Sequence, residues 1–426
     1  MKTDTASTWN TEVDFSVRIK PIVLVLLGGL LLRLSLATLP SFEVDLNTFQ
    51  AWSLQLADSG PWNFYRDNSF ADYTPGYLYI LWLFGGLDKL FAFDNDQFHY
   101  LLKLPAIAAD LGSAYLLYRM LEGRKPLVQL GAPILYLLLP VVLLIGPVWG
   151  QVDSVLAFFL LLTVYYMAKH RPTSASLAYA MAFLIKPQAV AALPLFAFWL
   201  LKNHPPRIWA RAVASSLAAG FLLILPFFPR NPFAIIDQLR DSAETYPYDS
   251  FFAYNFWGLF SADRGAPGGI LFNPDDLTFL GLEHRIWGII LFLAASLAII
   301  LVFRNARGPA FLALATALSV LAFYVFVTRM HERYLFPLFL PFLVACVLLN
   351  SRLLWATFLG LGVVHFLNLY YVYSYYYPNF LKVDSVFLMI EDRVFLLSLL
   401  IFLAFPLLLA TSVLLTGRKQ EEQGTQ

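Results

Sequence analysis

Apolar runs of about 15 to 22 residues recur from one end of the sequence to the other, and roughly 20 such residues in a helix are needed to cross about 30 Å of hydrocarbon. No other feature limits the fold as tightly. Of the 426 residues, 59% are hydrophobic, 17% aromatic and 13% charged, against roughly 25% charged in soluble domains. A water-soluble core has no room for that much apolar surface, so lipid is the expected solvent. In lipid every backbone N–H and C=O must find its partner inside the protein, which helices achieve segment by segment. The expected fold class is an all-α polytopic membrane protein, a bundle of about twelve transmembrane helices in one membrane-embedded domain over 1–426.

The formal net charge of +1 gives no reason to expect nucleic acid as a partner. The placement of the charges says more. Short loops rich in Lys and Arg stay cytoplasmic. Such clusters are Lys2, Arg18 and Lys20; Arg119, Arg124 and Lys125; Lys169 and Arg171; Lys202, Arg207 and Arg211; Arg304 and Arg307; Arg352; and Arg418 with Lys419. Putting all of them on one side gives spans near 21–39, 99–120, 126–146, 153–169, 173–186, 188–202, 209–228, 285–303, 309–328, 335–349, 353–373 and 394–415, with both termini inside. The run 21–39 is too long for a signal-peptide core and reads as the first anchor. With only a short polar tail from Arg418, a single domain is expected.

The apolar run 75–93 breaks the pattern. Counted as a span, it would carry Arg119, Arg124 and Lys125 outside and invert everything after them. It is therefore expected to lie along the outer face or dip into it. The outer segments are then a first loop at 40–98, a turn around Gly150, a long loop at 229–284, a turn around His331 and a loop at 374–393. Most acidic residues fall in them, and loops of this length are usually functional.

Candidate chemistry gathers there. The stretch S-F-E-V-D-L-N-T-F-Q-A-W puts Glu43 and Asp45 just past the first span, ahead of an amphipathic segment at 47–57 suited to lying in the interface. A carboxylate held at the membrane surface can deprotonate an incoming hydroxyl. In A-D-Y-T-P-G-Y, Asp72 either caps the helix that Pro75 opens or serves the site. In G-P-V-W-G-Q-V-D-S, Gln151 and Asp153 sit at the outer end of the fourth span; Asp153 either caps that helix or orients an acceptor or a cation.

Lys186, in A-F-L-I-K-P-Q-A-V, is a charge within an apolar run beside a helix-breaking proline, the pattern of a broken helix that presents charge to a polar ligand. Snorkelling to the outer interface is its bland explanation. The stretch V-T-R-M-H-E-R-Y-L-F-P sets Arg329 and Arg333 four apart, on one face if the helix continues, beside His331 and Glu332. Two guanidinium groups there make a phosphate clamp. The aromatic stretches 246–257 and 370–377 suit either sugar stacking or an interfacial belt. Arg33, Lys103 and Asp110 fall within spans, with Lys103 and Asp110 two turns apart and able to pair. Cys346, the single cysteine, reads as a small buried hydrophobe. No phosphate-binding glycine loop, His-Glu-x-x-His or Cys/His metal spacing occurs, so no metal and no cofactor is expected.

Taken in order, the acidic residue after the first span, D-Y-T-P-G, G-Q-V-D-S, the K-P-Q break and H-E-R-Y-L-F-P resemble the GT-C superfamily of integral membrane glycosyltransferases. The nearest likeness is to bacterial mannosyltransferase-like proteins related to the GPI and dolichol-linked mannosyl- and glucosyltransferases. The resemblance covers about 21–415. It implies inverting transfer of one sugar, mannose favoured, from a polyprenyl-phosphate donor to a glycan, lipid or protein acceptor outside the cytoplasm, in a bacterial inner or plasma membrane. It assigns Asp45 as catalytic base and implies first-loop helices lying along the membrane, in keeping with a non-crossing 75–93. Lys186, Arg329, His331 and Arg333 are then candidates for the donor phosphate, and Glu43, Asp72, Gln151, Asp153 and Glu332 for acceptor or sugar. D-Y-T-P-G departs from the family's commoner Y-P-P. A transporter or flippase of lipid-linked sugars, or an oligosaccharide polymerase or ligase, is the alternative; no repeat of the kind transporters often carry is apparent.

The topology has a direct check. Single cysteines placed at Asp58 and Asp96 flank the run 75–93, and both are expected to react with an impermeant thiol reagent from outside only. A cysteine at Lys125 is expected to react from inside only. Labelling of 58 and 96 from opposite sides would make that run a span.

Overall fold

The computed structural model describes residues 20–67, 70–260 and 273–424. Lys2 and Arg18 of the first basic cluster, and 261–272 of the long outer loop, lie outside the described residues. So do the side chains of Arg418 and Lys419.

Eighteen α-helices make up the described chain, with short 3₁₀ and π segments and two two-residue strand pairs. Seven helices are long and apolar enough to cross a membrane, and an eighth forms if Pro126–Leu138 and Pro140–Trp149, bent by 50°, count as one span. Three shorter apolar helices, Pro21–Leu36, Asp153–Ala168 and Pro172–Ile185, join them. The chain is thus built as a multi-pass membrane protein. Its helices expose large apolar side chains such as Leu31, Leu217, Leu297 and Leu414, which water would penalise and lipid does not. The helices sort by burial. Pro309–Phe326 is central, with 78% of its apolar window buried, while Pro206–Ile224 is peripheral at 6%.

Proline sets many helix starts. Pro21, Pro75, Pro126, Pro140, Pro172, Pro206 and Pro309 each open a helix, where a missing N–H costs nothing and the fixed φ is already helical. Asn95–Met120 begins instead with a capping box between Asp94 and Gln97. The same proline chemistry makes the breaks. Leu139 is extended ahead of Pro140 and turns the chain out of its first direction. Lys186 is extended ahead of Pro187, so Pro172–Ile185 stops there and a 3₁₀ turn, Pro187–Ala192, leads into Leu193–Asn203.

Buried charges tie the first helices together. Arg33 Nε donates to Asp110 Oδ2 at 3.0 Å and Arg33 Nη2 to the Leu137 carbonyl at 3.1 Å, while the Tyr136 hydroxyl donates to Asp110 Oδ1 at 2.9 Å. The expected Lys103–Asp110 pair does not form. Lys103 instead donates to the carbonyls of Ala37 and Leu39, at 2.8 and 2.9 Å, and satisfies acceptors that the end of Pro21–Leu36 leaves open. A seven-residue spacing places two side chains on one face, but Arg33 on the neighbouring helix is the stronger partner for a carboxylate.

The segment after the first helix folds as a platform. Helix Glu43–Ser59 starts earlier than the amphipathic stretch and takes Asp45 into its first turn. It buries Leu46, Phe49, Trp52 and Leu56 and packs against helix Pro75–Phe91. The two run close enough that a Cβ at Gly85 would stand 1.9 Å from the Ser53 carbonyl oxygen. Asp72 does not cap Pro75–Phe91, whose cap position is Thr74. Farther along, Ser250–Phe251 pairs in parallel with Met330–His331.

Gly85→Ala is expected to force the two platform helices apart and to destabilise the protein by about 1 to 3 kcal/mol, read as a lowered thermal midpoint in detergent. Gly86→Ala, where an added Cβ meets nothing within 4 Å, is expected to leave the midpoint unchanged or slightly raised.

Candidate functional site

Three breaks in helical order meet at one end of the bundle. After the bend at Pro140 the chain tightens into a π segment, Leu144–Trp149, and leaves it through Gly150 at φ +90°. A side chain there would be strained by that φ and would run into Leu46, 2.8 Å from a built Cβ. The turn sends Trp149 and Gln151 to the same place. Trp149 Nε1 donates to Asp45 Oδ2 at 2.8 Å, and Gln151 Nε2 donates to the same oxygen. Phe42, just before Asp45's helix, stacks on the Trp149 ring at 4.3 Å, and its N–H reaches the Trp149 carbonyl. The carboxylate is held from two sides and is only partly buried.

Gln151 passes the network on. Its Oε1 accepts from the Tyr73 hydroxyl and from Lys186 Nζ, each at 3.3 Å. Lys186 Nζ also spans both carboxylate oxygens of Asp153 at 3.1 Å and lies 5.5 Å from the Tyr73 ring and 5.7 Å from the Tyr334 ring. Gln151, Asp153 and Lys186 are all buried. Asp153 is the first residue of Asp153–Ala168, with Val152 in the cap position; it is a counter-ion for Lys186 and not a cap. Lys186 does not snorkel, and its charge is spent on Asp153.

The turn after Pro309–Phe326 supplies the other wall. That helix ends at Phe326, so Arg329 and Arg333 do not share a helical face. Arg329, at φ +62°, turns away and pairs with Asp275 at 2.5 Å while donating to the Ala243 carbonyl at 2.7 Å. It ties Asp275 and Ala243 to the turn and stands outside the cluster. Arg333 remains. Its Nη1 donates to Glu332 at 2.9 Å, its Nε is buried without a hydrogen-bond partner, and the group lies 5.8 Å from the Tyr334 ring. Arg333 is within electrostatic reach of Asp45, Asp72 and Asp153.

His331 packs against the rings of Tyr246, Phe251 and Tyr334 at 4.8 to 5.0 Å, and its Nδ1 makes no hydrogen bond. Burial, then the nearby Arg333 and Lys186, hold its pKa well below the usual histidine range. At neutral pH it brings a ring nitrogen and no charge. Burial pushes the Asp72 carboxyl above the ordinary carboxylate range; Arg333 and Lys186 pull it back, and Asp45 adds to the rise.

The structure thus gathers Asp45, Asp72, Gln151, Asp153, Lys186, His331, Glu332 and Arg333, and leaves out Arg329 and Glu43. Glu43 is exposed and lines a separate cavity of about 980 Å³ with His99 and Tyr100; two residues from Asp45 on a helix, it faces elsewhere. Trp149, Tyr73 and Tyr334 belong to the cluster and were not singled out, though each stands inside a stretch that was. The aromatic stretches close over it: Tyr246 on His331, and Tyr373, Tyr376 and Tyr377 around Phe42. Among the described residues no group of three His, Cys, Asp or Glu side chains could hold a metal ion. No protein-family model matches the chain, and no curated protein matches it.

The charges sort chemically. Lys186 neutralises Asp153 and Arg333 neutralises Glu332, which among the described residues leaves Asp45 and Asp72 without an ion-pair partner of their own. Lys186→Met is expected to destabilise the protein by about 3 to 5 kcal/mol by stranding Asp153. The double variant Lys186→Met with Asp153→Leu is expected to recover most of that loss. Chemical denaturation in detergent measures both, and a double variant no better than the single one would rule out the pair as the cause.

Proposed function

We propose that the protein is an inverting glycosyltransferase of the GT-C kind, with twelve crossings, both termini cytoplasmic, and its site on the outer face of a bacterial inner or plasma membrane. It moves one sugar, with mannose favoured, from a polyprenyl-phosphate donor to an acceptor hydroxyl. One observation carries this reading. Asp45, a partly exposed carboxylate fixed by Trp149 and Gln151 and lacking a cation of its own, shares a cluster with Arg333, whose buried Nε has no acceptor. A general base and an anion-binding N–H side by side are what a displacement at a sugar phosphate requires.

In this mechanism Asp45 accepts the proton of the acceptor hydroxyl as that oxygen bonds to the anomeric carbon from the face opposite the phosphate. The bond from that carbon to the phosphate oxygen breaks with its electron pair, through an oxocarbenium-like transition state. Polyprenyl phosphate leaves, and the charge growing on it is met by Arg333. Lys186 is a positioning residue that holds Gln151, and through it Asp45. Asp72, its carboxyl raised above the ordinary range, hydrogen-bonds sugar or acceptor hydroxyls. An apolar groove of about 460 Å³ runs from Thr74, two residues from Asp72, past Tyr179, Phe183, Phe196 and Phe221. It has the chemistry to house a prenyl tail.

The test supplies purified protein with radiolabelled polyprenyl-phosphate mannose, and in parallel the glucose and arabinose analogues. Transfer to an acceptor is expected, and Asp45→Asn is expected to lower it by at least about 100-fold while donor binding persists. Arg333→Lys, which keeps the charge and loses the planar fork, is expected to weaken donor binding and turnover together. Unchanged transfer by Asp45→Asn would sink the proposed base. Movement of the intact donor between leaflets without cleavage would make the protein a flippase.

A further inference from the structure

At the opposite end of the bundle from Asp45 is a second polar site that glycosyl transfer does not use. A cavity of about 750 Å³ opens where Asp153–Ala168, Leu193–Asn203, His284–Phe303 and Pro309–Phe326 come together. The first of these helices fixes its position. Asp153 belongs to the outer cluster, while Met167, Ala168 and His170 line this cavity. A helix rises 1.5 Å per residue, which puts the two sites roughly 24 Å apart along one rod.

The lining is one-sided in charge. Lys202, Arg304, Arg307 and His170 stand around it, and no carboxylate of the described residues does. The ion pairs of the described residues leave all four out. Beneath these groups the wall is apolar, with Leu195, Trp199, Phe303 and Phe311. Cations at helix ends on the inner face explain the sign of the charge, but they do not explain a cavity, nor why three of them ring it with no counter-ion among the described residues. Basic rim, apolar floor and an opening between membrane helices fit one class of ligand: a phosphate diester attached to acyl chains.

We propose that this cavity binds the headgroup of an anionic glycerophospholipid from the leaflet opposite the Asp45 cluster. Lys202, Arg304 and Arg307 hold the phosphate, and the first acyl methylenes lie along Trp199 and Phe311. The assignment is independent of the sugar chemistry and stands or falls without it.

The test uses full-length protein stripped of lipid in dodecyl maltoside and titrated with dioleoyl phosphatidylglycerol, with bound lipid read by native mass spectrometry. Saturable binding is expected. The triple variant Lys202→Gln, Arg304→Gln and Arg307→Gln is expected to weaken it by about 100-fold, at about five-fold for each cation removed. Arg119→Gln with Arg124→Gln, basic but away from the cavity, is expected to bind as the wild type does. If the triple variant melts early without lipid, Arg307→Gln alone, on an exposed loop, still carries its five-fold. Three results would overturn the proposal: undiminished binding by the variants, equal binding of dioleoyl phosphatidylcholine, or displacement of the lipid by an equal concentration of inorganic phosphate.

Discussion

A charge placed inside a lipid-facing bundle persists only beside its opposite or a set of polar partners, because nothing in hydrocarbon replaces its water. Among the described residues three ion pairs meet that demand, and two of them also tie helices together. Arg33 with Asp110 locks the first helix to two neighbours through the Leu137 carbonyl and the Tyr136 hydroxyl. Lys186 with Asp153 bolts the broken helix to the start of its predecessor. Arg333 with Glu332, its neighbour in the chain, satisfies both charges within the turn that follows the central helix. Once these pairs are made, the acidic residues left over define where chemistry can occur.

The leftover carboxylates sit on a part of the molecule built differently from the rest. The long spans are regular helices held by apolar packing, whereas the cluster is assembled from interruptions: a π segment ending at Gly150, an extended Lys186 ahead of proline, and a left-handed Arg329 beside a two-residue strand. Regular helix satisfies its own backbone and points side chains around a cylinder. Only where it is broken can several side chains converge from different directions on one point. Bilayer-spanning architecture and a polar centre are therefore supplied by different stretches of chain, joined at a few residues.

That division explains what could be read from the sequence. Apolar length made the bundle legible, prolines marked its breaks, and the run around 75–93 took its helical form. The acidic and basic motifs located most of the cluster, because each lies at a break that proline or glycine announces. Pairing was less legible. The spacing of Lys103 and Asp110 describes one helix and is silent about Arg33 on another. The four-residue spacing of Arg329 and Arg333 assumed a helix that stops at Phe326, and nothing local points to Asp275, far back along the chain. Trp149 was hidden for another reason: a tryptophan near a span end ordinarily belongs to the interfacial belt, and only the fold turns its N–H toward Asp45.

The broken helix has a further consequence for the surrounding membrane. Pro172–Ile185 has 14 residues and spans only about 21 Å, well short of a typical hydrocarbon thickness of about 30 Å. Lipid against that flank must thin to avoid leaving the polar ends of the helix in oil. The bilayer would then dimple beside the cluster. Under the proposed function, a phosphate carried on a long isoprenoid would descend into that depression with its own chain still solvated, so that bilayer thickness, and not only affinity, would govern how readily such a lipid arrives.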